Sequence, residues 1–105
     1  MAFQNLNNCF SFSVSANSLT SAKLSAFPCS EVVITNPTGS GQLLLIYDNN
    51  NTSDARAFAI NSGDTVAVRG ITSSDMLSAK FAANPTSPTI YCRAQYYSFS
   101  TQSYA

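Results

Sequence analysis

Along Phe10–Ala16, FSFSVSA, apolar residues alternate one for one with serine. A period of two puts one set of side chains on a buried face and the other toward water, so this stretch predicts a half-buried strand. Strand signatures return down the chain. Glu31–Asn36 (EVVITN) is rich in β-branched residues and is stopped by Asn36-Pro37-Thr38-Gly39-Ser40-Gly41, a run of turn formers. Gln42–Asp48 (QLLLIYD) follows, and the two segments read as an antiparallel hairpin. Arg56–Ile60 (RAFAI) places Phe58 and Ile60 on one face. Asn61-Ser62-Gly63-Asp64 predicts a tight turn with Gly63 at positive φ. Thr65–Arg69 (TVAVR) alternates Val66 and Val68 inward against Thr65, Ala67 and Arg69 outward, and Gly70 ends it.

Met76–Phe81 (MLSAKF) predicts a further strand, and Asn84-Pro85-Thr86-Ser87-Pro88 a turn. Thr89–Ser98 (TIYCRAQYYS) sets Ile90, Cys92, Ala94 and Tyr96 against Tyr91, Arg93, Gln95 and Tyr97, with aromatics on both faces. Ser18–Phe27 reads either as a strand with Leu19, Ala22 and Leu24 half buried or as an irregular connection ending at Pro28. Helical periodicity is hard to find and there is no βαβ rhythm. The pattern therefore predicts an all-β fold: an antiparallel β-sandwich or small barrel, jelly-roll-like, of roughly seven to eight short strands. The 105 residues suit one domain, 1–105, with 1–9 and 98–105 as arms.

Charge changes the picture of the surface. Only 10% of the residues are charged and the net charge is zero, so Ser, Thr, Asn and Gln supply the polarity. Such a surface lacks the basic footprint of a nucleic-acid binder and has little repulsion to keep copies apart. The cations Lys23, Arg56, Arg69, Lys80 and Arg93 are scattered, as expected for solvated residues or single ion pairs. Arg93 stands out because it lies mid-strand between Tyr91 and Gln95. If that face is covered by a neighbour, Arg93 and the tyrosines have the composition of an interface anchor; if wet, Arg93 is a solvated strand residue.

Candidate chemistry is sparse. The chain has no histidine, so triads and metal sites that need one are excluded, and nothing selects a working pair among Glu31, Asp48, Asp54, Asp64 and Asp75. No enzymatic activity and no cofactor are expected. Cys9, Cys29 and Cys92 are odd in number and have no metal-ligand spacing. They read as small buried hydrophobes, although Cys29–Cys92 or Cys9–Cys92 would pair if their strands were adjacent.

The oxygen-rich run Asp48-Asn49-Asn50-Asn51-Thr52-Ser53-Asp54 resembles half of a calcium loop. It has Ser53 where that loop needs glycine and Ala59 where it needs glutamate. A solvated hairpin loop without metal is expected, and Asp48, Asn49, Asn50, Asn51 and Asp54 remain a candidate ligand loop with Tyr47 nearby. Asn50–Ser53 also holds overlapping glycosylation sequons. Met1–Phe10 has no basic, apolar leader pattern and no stretch approaches membrane-helix length, so synthesis in a host cytoplasm and no membrane contact are expected. The tail from Tyr96 to Ala105 sets Tyr96, Tyr97, Phe99 and Tyr104 among polar residues. It either docks on a sheet edge or groove or continues the last strand.

From Glu31 to Ser98 the order of elements, carried by EVVITNPTGSGQLLLIYD, AFAINSGDTVAVRG and IYCRAQYYS, resembles small β-sandwich virion proteins of tailed bacteriophages. Decoration (cement) proteins, head fibres and small tail or neck components belong to that group; Met1–Ala26 has no counterpart in the pattern. The resemblance implies a non-enzymatic decoration protein in the virion that binds the capsid exterior. Its expected partners are the major capsid protein or other virion proteins and copies of itself, with a trimer favoured. The expected contacts come from Phe3, Leu6, Tyr91, Arg93, Tyr97, Phe99 and Tyr104. The alternatives are a tail, collar or fibre component, and a receptor- or carbohydrate-binding module.

Overall fold

The computed structural model describes residues 9–48 and 57–96. In chain order its strands are β1 (Phe10–Ser15), β2 (Ala22–Lys23), β3 (Glu31–Thr35), β4 (Leu44–Asp48), β5 (Phe58–Ile60), β6 (Thr65–Arg69), β7 (Leu77–Phe81) and β8 (Thr89–Gln95). They form two four-stranded sheets, a front sheet β1-β8-β3-β6 and a back sheet β2-β7-β4-β5, with antiparallel pairing throughout. This interleaved order is a jelly roll, as the strand pattern led us to expect.

Alternation decides the core. Val32, Ile34, Ile90, Cys92 and Ala94 point inward from the front sheet, and Leu44, Ile46, Ile60, Leu77, Ala79 and Phe81 from the back sheet. Ala16, Leu24 and Ile71 fill the ends from the connections. Ser18–Phe27 is therefore mostly irregular, with only Ala22–Lys23 in a strand. Leu24 is buried, but Leu19 is 83% exposed and takes no part in the core. Phe27 lies against Phe10 and Phe12, with ring centroids 4.9 and 5.1 Å apart.

The expected hairpin of Glu31–Asn36 with Gln42–Asp48 does not form. β3 has β8 and β6 on its two sides, while β4 lies in the other sheet between β7 and β5. The cause is local. Asn36 is fully buried, and its amide donates to the carbonyls of Gln42 at 2.8 Å and Ile60 at 2.9 Å while accepting from the Ser40 hydroxyl at 2.7 Å. Extended Pro37, a 3-10 turn over Thr38–Ser40 and Gly41 at φ +67° then carry the chain across to the back sheet. The Asn61–Asp64 turn makes the return crossing, with Gly63 at φ +92° as expected.

Neither cysteine pairing forms. Cys29 and Cys92 are separate buried thiols, because Cys92 sits between Phe12 and Ile34 across the ladder while Cys29 lies in the connection before β3. Burial pushes the Cys92 thiol up to about 12, so it stays protonated at neutral pH.

Two stability predictions follow from the crossing. Asn36→Ala leaves the Gln42 and Ile60 carbonyls without their amide donor, and urea unfolding should show a loss of about 3 kcal/mol. A Cβ on Gly63 would stand 2.9 Å from Thr38 Cγ2 at positive φ, whereas one on Gly70 (φ +88°) meets nothing within 4 Å. Gly63→Ala should therefore cost ~2 kcal/mol and Gly70→Ala ~1 kcal/mol by the same measurement; equal losses would refute the steric part.

Candidate interaction surface

The register of the front sheet assembles its outward side chains into cross-strand rows. One row is Ser13, Tyr91, Thr35 and Thr65; the next is Ser11, Arg93, Val33 and Ala67; the last is Gln95, Glu31 and Arg69. Cross-strand neighbours on one face lie within about 5.5 Å, so these rows are continuous surfaces. Thr35 and Thr65 join their hydroxyls at 2.9 Å. Tyr91 is 55% exposed and Arg93 is also exposed, standing over an open depression of about 480 Å³ bordered by Ser11, Ser13, Val33 and Thr35. Tyr96, read on one face with Ala94, lies just beyond the end of β8 and is exposed whereas Ala94 is buried.

The last row is a polar clamp. Glu31 is only 4% exposed, and its carboxylate accepts from Arg69 Nε at 2.8 Å and Gln95 Nε2 at 2.6 Å. Burial by itself would raise the Glu31 pKa, but the hydrogen bonds from Gln95 and Arg69 and the Arg69 charge together outweigh it and hold it below the ordinary carboxylate value. Sequence reading left Glu31 at a strand end without a partner. Its partners lie 38 and 64 residues away, so only strand order brings them together. Val33 and Ala67 were also missed as neighbours of Arg93; alternation marked Ala67 as outward, but neither the facing of Val33 nor which strands adjoin.

A second cavity, about 390 Å³, opens at the end of the sandwich between Ile46, Phe58, Val68, Ile71, Met76 and Leu77, with Tyr47, Asp48 and Arg69 also lining it. Asp48 is exposed there, whereas Tyr47 is 2% exposed and Lys80 Nζ lies 5.7 Å from its ring centroid. Tyr47 thus offers no open ring face for a ligand. Of the other candidates, Phe3, Leu6, Tyr97, Phe99 and Tyr104, and the loop residues Asn49, Asn50, Asn51 and Asp54, lie outside the described residues. The structure therefore brings together Tyr91 and Arg93, and separates both from Asp48.

Comparison with family models, with curated proteins and with solved structures found no match for this chain.

The clamp has a defined pH dependence. A carboxyl whose pKa is lower folded than unfolded contributes fully above the unfolded value, about 4.3, and its contribution is lost as pH falls through the folded value. Urea midpoints of wild type should therefore drop more steeply below about pH 4 than those of Glu31→Gln. Parallel curves for the two proteins would remove Glu31 as a source.

Proposed function

We propose that this chain is a non-enzymatic structural protein of a tailed-phage virion, a capsid decoration (cement) protein that binds the shell exterior through its front-sheet face and stabilises the particle. The observation that carries this reading is the Tyr91–Arg93 surface. It is an open sheet face in which one aromatic and one guanidinium stand among Ser11, Ser13, Val33, Thr35 and Ala67. Tyr and Arg are the side chains that most often anchor protein interfaces, and small neutral neighbours let a partner approach without stranding charges.

Two further features support it. Jelly rolls recur in viral capsid domains, an analogy of fold. Cys9 and Tyr96, where the described chain enters β1 and leaves β8, lie at the same end of the front sheet, because Phe10 pairs with Ala94. The described chain therefore enters and leaves the front sheet at neighbouring points. In this reading the partner is the major capsid protein, with neither nucleic acid nor membrane involved; a tail, collar or fibre component would use the same face on a different virion surface.

A receptor- or carbohydrate-binding module is the second reading. Jelly rolls also include lectin domains, and the end cavity has Asp48, the first residue of the oxygen-rich run, at its lining. Burial of Tyr47 weighs against it.

Mass spectrometry of purified virions should find the chain among the particle proteins. Tyr91→Ala and Arg93→Ala should each weaken cosedimentation with stripped shells by ~10-fold or more, while Leu19→Ala, a substitution outside this face, should not. Absence from virions, or wild-type binding by both face variants, would overturn the proposal. Saturable glycan binding that depends on Asp48 would favour the second reading.

A further inference from the structure

The front sheet ends on β1, and the ladder to β8 fixes which of its backbone groups are used. Ala16 N–H donates to the Pro88 carbonyl at 3.0 Å, continuing the register in which Phe10 faces Ala94 and Val14 faces Ile90. In an antiparallel ladder the bonding direction alternates residue by residue. Phe10, Phe12 and Val14 therefore bond to β8, and Ser11, Ser13 and Ser15 aim their N–H and C=O groups at the open edge. No strand of the described residues lies on that side.

Sheet edges are normally blunted by shortness, charge, proline or a bulge. The other edges in this sandwich are protected: β2 has 2 residues and a lysine, β5 has 3 residues, and β6 carries Arg69. β1 has 6 residues, FSFSVS, with no charge or proline and an unbroken register. Its inward side chains also remain short of partners. Phe10, Phe12 and Val14 are only half-buried, although Phe27 covers the two rings from inside the sandwich.

We propose that β1 pairs with β1 of a second copy, antiparallel about a two-fold axis, so that the front sheet runs continuously through the dimer. The sequence is self-complementary in one register. With Phe12 opposite the copy's Phe12, Phe10 faces Val14, Ser11 faces Ser13, and apolar meets apolar along the inner row. A slip of one residue would set each phenylalanine against a serine. In this register Ser11 and the copy's Ser13 exchange both backbone bonds, as a closely bonded antiparallel pair does. A two-fold axis brings a central strand residue close to its own twin, so a strand without charge meets no repulsion there. Pairing of β1 with the copy's β6 would instead be head-to-tail and would build rings or chains. The two-fold pair stands independently of shell binding, and it replaces the trimer expected from the sequence with a dimer.

Light scattering of the full chain across a concentration range should show a monomer–dimer equilibrium. Ser13→Pro deletes an N–H that faces the open edge and leaves the β1–β8 bonds intact; it should raise the dissociation constant at least ~10-fold with unchanged circular dichroism. Ser13→Lys, which puts like charges beside the axis without removing any backbone bond, should do the same and covers the case in which proline unfolds the strand. Ala67→Pro deletes the corresponding N–H on β6 and should leave the dimer intact. A monomer at every concentration, a trimer or larger ring, dimers that survive both Ser13 variants, or equal dissociation by Ala67→Pro would each overturn the proposal.

Discussion

The buried amide of Asn36 is the point on which the architecture turns. A carboxamide sealed from water must satisfy its donors and its acceptor inside the protein. Here it does so by holding the entry to β4, the end of β5 and the Ser40 hydroxyl at once. Its backbone N–H adds a bond to Asp64 and its carbonyl accepts from Gly63. One residue thus ties together two crossings between the sheets at the same end of the sandwich. Without that anchor the Gln42 and Ile60 carbonyls would lose their buried donor, and both crossings would be loosened.

Ser74 performs a related task in the connection between β6 and β7. Its hydroxyl accepts from the Phe27 N–H at 2.9 Å and donates to the Ser25 carbonyl, which fixes the irregular stretch before β3 and with it the Phe27 ring. Phe27 in turn supports Phe10 and Phe12 from inside, so the edge strand stays attached although no strand of the described residues pairs with its outer flank. Buried polar groups, Asn36, Ser40 and Ser74, stiffen the structure together with the ion pair of Arg69 with buried Glu31.

Low charge gives the front sheet two properties. Its face can be covered without desolvating many ions, and its β1 edge can be approached by an identical edge. The face and the edge are perpendicular directions of growth, so the proposed contact with a shell and the proposed pairing with a copy would not compete for the same groups. Arg93 points off the face, while the N–H and C=O groups of Ser11, Ser13 and Ser15 lie in the plane of the sheet.

Strand identity, facing and turn positions were legible from the sequence because they depend on neighbours one to four residues apart. FSFSVSA announced β1, TVAVR gave the correct inward valines, and the need for positive φ marked Gly63. Of the two readings of Ser18–Phe27, the irregular connection mostly held: it has no period to enforce, and the Leu19 side chain swings into solvent. Tyr91 and Arg93 were recognisable as mid-strand residues of one face, but not that Val33 and Ala67 lie beside Arg93. Strand order, the absence of a β3–β4 hairpin and the Glu31–Arg69–Gln95 clamp were decided only by tertiary structure. Hydrogen bonds between strands are the same whichever strands they join, so the choice falls to packing and to buried groups such as Asn36 whose partners are remote in the chain.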